Sequence, residues 1–366
     1  MLYAAYETQR VTLDGARAAS RVALQSLDLL PPPLGDLDPV RRLRAAHQVF
    51  VDSAITHERL PFAIDKISVE TPAGAQVVAV HEEVVARTPF CTLLRFAKDL
   101  PEGAPPQPRV LLVAPLSGHF ATLLTDTVRT MLPDHDVHIT DWHNARDVGL
   151  EHGPFGLDEL VDHVVDFLPA SMTLVAGPVD VELSPTSVNT LARSGPPDWF
   201  RDTVVTPVPP PYDGAGRLVY PGFMQLAGFV AMNPKRHVDA HLGLIEALVA
   251  GDEVQARSTR EFYDEYLAVA DLPAEVYLDT IAHIFQGNRL ARGEYTWRGR
   301  RVHPERITRT GLLTIEGERD DICGPGQTMA AHDLCTRIPA YRRRHHLQAG
   351  VGHFGVFSGR RWAGQV

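Results

Sequence analysis

The sequence predicts an α/β protein built on a mostly parallel sheet, with a helical arm at its N-terminus and a helical cap inserted into the sheet. Three observations carry this reading. Short continuous apolar runs at residues 110–113, 137–140 and 172–176 alternate with helical patterns at 121–132 and 157–168. That is the order of parallel strands joined by crossover helices. From 177 to 300 the chain turns proline-rich (Pro207, Pro209, Pro210, Pro211, Pro221) and helical, and strand–helix–strand patterns resume at 311–315, 327–337 and 344–348. The expected organisation is therefore an arm over 1–60, an α/β core over 61–176 and 301–366, and a cap over 177–300.

Taken in order, apolar residues at helical spacing (Leu2, Tyr6, Leu13, Ala16, Leu24, Leu27) run through the first 30 residues, and Pro31-Pro32-Pro33 must end that helix. A second helix is expected from Pro39 to about Thr56. Residues 67–70, 76–81 and 91–96 alternate and are β-branched, which reads as antiparallel strands. The runs at 110–113, 137–140 and 172–176 read as strands buried on both faces. Gly156 opens the helix 157–168. Inside the cap, 242–248 and 260–269 read as helices.

Composition narrows the function. With 366 residues, 44% hydrophobic, the chain can bury a large core. Its 35 basic and 45 acidic residues give a net charge of −10, without the basic face of a nucleic-acid binder. Three cysteines, Cys91, Cys323 and Cys335, are too few and odd in number for a disulfide framework, and point to a reducing compartment. Residues 1–10 contain Glu7 and Gln9 and no apolar h-region, so no signal peptide is expected. Nor does any stretch approach the ~20 apolar residues of a membrane span. A cytoplasmic protein without cofactor or metal is expected. His237 and His241 stand four apart, but the Val-Asp-Ala between them is not a zincin pattern.

Two loops carry the chemistry. Glu316-Gly317-Glu318-Arg319-Asp320-Asp321-Ile322 follows the strand 311–315, and Gly350-Val351-Gly352-His353-Phe354-Gly355 follows the strand 344–348. Active sites of open parallel sheets collect at the carboxyl ends of strands. An acid after the penultimate strand and a histidine after the last match the chain order of an α/β-hydrolase. There the acid orients the imidazole, which acts as general base and then general acid. Aspartates at strand ends also cap helices and fill turns, and the chain has 17 histidines, so spacing alone leaves both readings open. Ala114-Pro115-Leu116-Ser117-Gly118-His119 stands where such a fold places an oxyanion N–H donor, though the same turn could be an ordinary connection.

These segments resemble the intracellular polyhydroxyalkanoate depolymerases over nearly the whole chain. The resemblance is carried by Ala114-Pro-Leu-Ser-Gly-His119, Asp126-Thr-Val-Arg-Thr130, Thr140-Asp-Trp142, Ala176-Gly-Pro178, Ser184-Pro-Thr186 and Val219-Tyr-Pro-Gly-Phe223. It continues in Gly228-Phe-Val-Ala-Met-Asn-Pro234, Phe262-Tyr-Asp-Glu-Tyr266, Ala331-His-Asp-Leu-Cys335, His353-Phe-Gly355 and Phe357-Ser-Gly-Arg-Arg-Trp362. It implies a thiol esterase of the α/β-hydrolase fold that cleaves stored polyester such as poly(3-hydroxybutyrate) at granule surfaces. It places the acid on Asp320, with Asp321 the alternative register, the base on His353, and an oxyanion contribution on the Leu116–Ser117 turn.

The family's nucleophilic cysteine has no counterpart. Its elbow belongs between the helix ending at Leu168 and the strand starting at Met172, where only Pro169, Ala170 and Ser171 stand. A strand, elbow and helix need roughly 30 residues. Cys323 is a candidate substitute nucleophile, because a thiolate is a strong one; an inert loop cysteine is the other reading. Cys91 and Cys335 read as core residues, and Ser171 lacks the flanking glycines of an elbow. Without a central strand, either 172–176 closes against 110–113 or the sheet splits. No helix is expected after the His353 loop. The function expected is polyester hydrolysis, with a catalytically silent granule-binding relative or an internally deleted product as the alternative.

Overall fold

The computed structural model describes residues 2–71, 74–165 and 171–365. The arm is a helix pair, α1 (Leu2–Asp28) and α2 (Asp38–Asp52). Pro39 sits in the first turn of α2, where its missing N–H costs nothing. Val49 of α2 packs with Leu244, Ala247 and Ala256, so the arm leans on the inserted segment.

Three antiparallel strands follow: β1 (Lys66–Thr71), β2 (Gly74–Arg87) and β3 (Cys91–Lys98). Next come β4 (Arg109–Leu112), α3 (Thr125–Met131), β5 (Asp136–Trp142), α4 (Leu157–Val165) and β6 (Ser171–Val175). Strands β1 to β5 form one sheet in the order β1-β2-β3-β5-β4, in which β4 and β5 are parallel. Phe96, Val128, Leu132, Val137 and Ile139 fill its core.

The inserted segment holds α5 (Ser187–Ala192), α6 (Pro197–Val204), β7 (Thr206–Pro207), β8 (Leu218–Tyr220), α7 (Gly222–Met232), α8 (Pro234–Ala250), α9 (Glu253–Leu267), β9 (Leu272–Pro273) and α10 (Ala274–Asp279). A π-helical stretch, Thr280–Gln286, and a two-stranded ribbon, β10 (Thr296–Trp297) and β11 (Arg300–Arg301), complete it. The chain then returns to strand as β12 (Gly311–Gly317), passes through α11 (Ala331–Leu334) and β13 (Arg343–Gln348), and continues into α12 (Gly359–Gln365).

Several expectations are corrected here. The parallel strands do not form one sheet: β6, β12 and β13 make a second, three-stranded parallel sheet in the order β13-β12-β6. Among the described residues β4 has only β5 as a strand neighbour and β6 only β12, so the sheet is split. The runs 110–113 and 172–176 are accordingly not buried on both faces. Val113 is 45% exposed, and Ser171 and Thr173 face solvent, because each strand is flanked on one side alone. The end of the helix expected over 157–168, and Pro169 and Ala170, lie outside the described residues. The helix expected over 327–337 contracts to α11, since 326–329 winds around a carboxylate (below) with i→i−3 bonds such as His332 N–H to Met329 O. A terminal helix is present after all, and Trp362 in it packs on Ala176, Ile315, Cys323 and Val356. Among the described residues no helix is long and apolar enough to cross a membrane.

Candidate active site

Strand β12 ends at Gly317, where a Cβ would lie 2.9 Å from the carbonyl oxygen of Val351. Glycine there lets the loop after β13 close against the loop after β12, and Arg319 N–H donates to Val351 O at 2.9 Å. The closure brings Asp320 and His353 together. Oδ2 of Asp320 lies 2.8 Å from Nδ1 of His353, and Oδ1 accepts the N–H groups of Ile322 (2.9 Å) and Cys323 (2.8 Å). The aspartate side chain is fully shielded while that of His353 remains 20% exposed. A carboxylate held by two amides orients the imidazole with Nδ1 protonated, leaving Nε2 free to take a proton. Asp321 is exposed and does not touch the ring, so the pairing is with Asp320. Phe354 and Phe357 stand edge-on to the imidazole at 5.8 and 5.5 Å.

The loop under Asp320 is built on Glu316. This buried carboxylate accepts the N–H groups of Gly326 (2.8 Å), Thr328 (2.7 Å) and Met329 (2.9 Å). Thr328 Oγ1 in turn donates to Gly177 O at 3.0 Å.

The Leu116–Ser117 turn is held by its flanks. Ala114 N–H donates to Thr140 Oγ1 (2.9 Å), Trp142 Nε1–H to Ala114 O (2.7 Å), and Ala270 N–H to Gly118 O (2.8 Å). Tyr266 of α9 joins this turn to the histidine loop. Its ring lies 5.7 Å from that of His119 and 6.2 Å from that of Phe354. Burial pushes the Tyr266 phenol up to about 12, so it stays neutral. Sequence reasoning noted the Phe262–Tyr266 motif without giving Tyr266 a place. Its signal was an aromatic run at helical spacing, which does not say what the face opposes.

Cys323 belongs to a different environment. It is 2% exposed, its Sγ lies 3.6 Å from Thr328 Oγ1, and burial pushes its thiol up to about 12. A thiol so placed is protonated at neutral pH and walled from substrate. Cys91 and Cys335 are buried too, with thiols raised by desolvation. At pH 8 a thiol of pKa near 12 carries on the order of 10³ less thiolate than an ordinary cysteine. Titration of the native protein with an aromatic disulfide reagent is thus expected to show negligible reaction, and three equivalents after denaturation. A fast native equivalent lost in Cys323→Ser would mean that this thiol is activated. Among the described residues no group of three His, Cys, Asp or Glu side chains is placed to hold a metal ion.

A parallel sheet with an acid after one strand and a histidine after the next, paired at 2.8 Å, defines an α/β protein with a hydrolase-type dyad. The chain belongs to the PHB depolymerase family: the family model described as PHB de-polymerase C-terminus matches residues 176–366, more than half of its length. No curated protein matches it. Among solved structures, Rv0554 from Mycobacterium tuberculosis is 14% identical, with 80% of this chain and 93% of that chain covered and a TM-score of 0.37. A 2-hydroxy-6-oxo-6-phenylhexa-2,4-dienoate hydrolase from Rhodococcus is 10% identical, covering 76% and 94% with a TM-score of 0.34. A hydrolase from Pseudomonas aeruginosa is 14% identical, covering 80% and 93% with a TM-score of 0.31.

Proposed function

We propose that this chain hydrolyses the ester bonds of intracellular polyhydroxyalkanoate, poly(3-hydroxybutyrate) being the type substrate, at the surface of cytoplasmic storage granules. The observation that carries the reading is the 2.8 Å Asp320–His353 pair in a chain of the PHB depolymerase family. His353 Nε2 removes a proton from water as its oxygen attacks the ester carbonyl, and Asp320 stabilises the resulting imidazolium. Backbone N–H groups of the Leu116–Ser117 turn receive the oxyanion. The imidazolium then returns its proton to the departing alkoxide, leaving a carboxylic acid on one fragment and a hydroxyl on the other. Water replaces the cysteine step that the family resemblance calls for, because the buried Cys323 thiol is not ionised. Turnover is therefore slow, resting on general-base catalysis and oxyanion stabilisation without a covalent intermediate.

The test is release of soluble 3-hydroxyalkanoate from amorphous granules. His353→Ala is expected to lower it by about 10²–10⁴-fold, the usual worth of a positioned general base. A folded protein that releases nothing overturns the reading. The second reading is then a granule-binding relative without turnover, which the sequestered Cys323 thiol favours and co-sedimentation with granules would measure.

A further inference from the structure

The helical arm ends in a tip whose apolar side chains its own fold does not bury. Helix α1 runs for 27 residues, which at 1.5 Å per residue carries the chain about 40 Å. Its near end is tied to the rest of the molecule by the Tyr3–Asp271 hydrogen bond. Its far end meets α2, where Arg44 Nη2–H donates to Leu27 O at 2.8 Å and Arg44 Nε lies 2.9 Å from Asp28 Oδ1. The connection between the helices reads Leu29-Leu30-Pro31-Pro32-Pro33-Leu34-Gly35-Asp36-Leu37. A surface turn is ordinarily built from Gly, Asn, Asp, Ser and Pro; here four leucines stand among the prolines. Leu29, Leu34 and Leu37 are 84%, 52% and 49% exposed, and the three prolines are exposed as well.

No slack in the chain leaves these leucines outside. Gly35 N–H donates to Pro31 O (3.2 Å), Asp36 N–H to Pro33 O (3.2 Å) and Leu37 N–H to Leu34 O (3.3 Å). Gly35 is buried against Leu30, where a Cβ would lie 3.0 Å from the Leu30 carbonyl oxygen. The backbone is folded on itself with these polar groups paired, while the apolar side chains face out. A segment held in this way loses little freedom on docking, so more of its burial appears as affinity. Contiguous exposed apolar surface of this kind marks an interaction site.

We infer that the α1–α2 tip docks the protein on an uncharged apolar surface, that of the amorphous polyester itself. The choice of polyester rests on the hydrolase reading proposed above. Charge selects among apolar surfaces. From Val22 to Val40 there is no lysine or arginine, while Asp28, Asp36 and Asp38 flank the leucines. An anionic membrane attracts segments that carry basic residues beside their apolar ones, and it repels this one. A second copy meeting tip to tip would present the same patch on both sides and set Asp36 against Asp36. An aliphatic polyester has no charge to oppose the aspartates, and in its amorphous state it admits a convex tip without a matching groove. Docking by a segment that holds none of the bond-cleaving groups separates capture of the particle from cleavage.

The test is co-sedimentation of the whole protein with two surfaces. One is amorphous poly(3-hydroxybutyrate) particles stripped of lipid and protein; the other is vesicles of phosphatidylglycerol and phosphatidylcholine in equal parts. The wild type is expected to bind the polyester, and as firmly at high salt as at low, because burial of leucine is not screened. Leu29→Ser, Leu34→Ser and Leu37→Ser together are expected to weaken that binding by about 10–100-fold, with the thermal unfolding midpoint unchanged. Should the triple variant not fold, Leu29→Ser alone, at the most exposed position, is expected to lose on the order of fivefold and gives the same comparison. His353→Ala is expected to bind as the wild type does. Four results overturn the inference: no polyester binding by the wild type, equal binding by wild type and leucine variants, stronger binding to the anionic vesicles, or a polyester affinity that salt abolishes. Polyester binding that depends on the leucines, with no release of 3-hydroxyalkanoate, supports the inference and overturns the hydrolase reading instead. If soluble ester oligomers are cleaved, wild type and triple variant are expected to cleave them at the same rate, the loss appearing on particles alone.

Discussion

Glu316→Ala is expected to lower the free energy of unfolding by about 3–5 kcal/mol and to uncouple His353 from Asp320. The carboxylate is buried and satisfies three backbone N–H groups, those of Gly326, Thr328 and Met329. Alanine leaves all three without a partner, each costing about 1–3 kcal/mol when it remains out of water. The same loop carries Cys323 and Ile322, whose amides hold the Asp320 carboxylate, so relaxation of the loop reaches the dyad. Glu316→Gln keeps the volume and one acceptor oxygen, and is expected to cost less. Urea unfolding measures the first effect, and the hydrogen-bonded Nδ1–H signal of His353 in proton NMR the second. A loss below about 1 kcal/mol would mean that water replaces the carboxylate without penalty.

The second large effect concerns Asp271, which fastens two elements at once. Its buried carboxylate accepts the Tyr3 hydroxyl of α1 at 2.7 Å and the Gly222 N–H of α7 at 2.9 Å. Burial pushes this carboxyl up to about 6 from an ordinary 3.8. The folded state therefore holds a proton over a pH range in which the unfolded chain has released it. Stability from this group is complete below pH 4, declines as pH rises from 4 to 6, and stays lower above that. A shift of roughly two units corresponds to on the order of 3 kcal/mol. Asp271→Asn preserves shape and an acceptor for Gly222 but does not titrate. The variant is expected to gain about 2–3 kcal/mol relative to wild type between pH 4 and pH 7, read from urea unfolding at each pH. A pH-independent difference between the two proteins would show that Asp271 does not carry this linkage.

Both residues show how the local pattern and the packed molecule divide the information. The antiparallel strands β1 to β3, the strand β12, and helices α1, α2, α8 and α9 were legible because their apolar residues recur at the period of the element that forms. The loops holding Asp320 and His353 were legible for a related reason: they follow strand-like runs late in the chain and are punctuated by glycine. Glu316 was quoted as part of the first loop and given no task. No short-range pattern says that a carboxylate will collect the amides of residues ten to thirteen positions ahead.

What the sequence by itself determined was the α/β class, the chain order of an acid and then a histidine, and the absence of a nucleophile elbow between 168 and 172. Periodicity and spacing are sufficient for the first two, each a property of contiguous chain, while the place of the missing elbow is what the resemblance to the depolymerases implies. Only the tertiary structure decided between Asp320 and Asp321, since the choice depends on which carboxylate the closure of Gly317 on Val351 turns towards the imidazole. It also decided that the sheet splits between β4 and β6, and that Cys323 faces Thr328 inside the protein. Strand pairing and burial are contests among distant segments, and a free energy shared between residues far apart in sequence leaves no local trace.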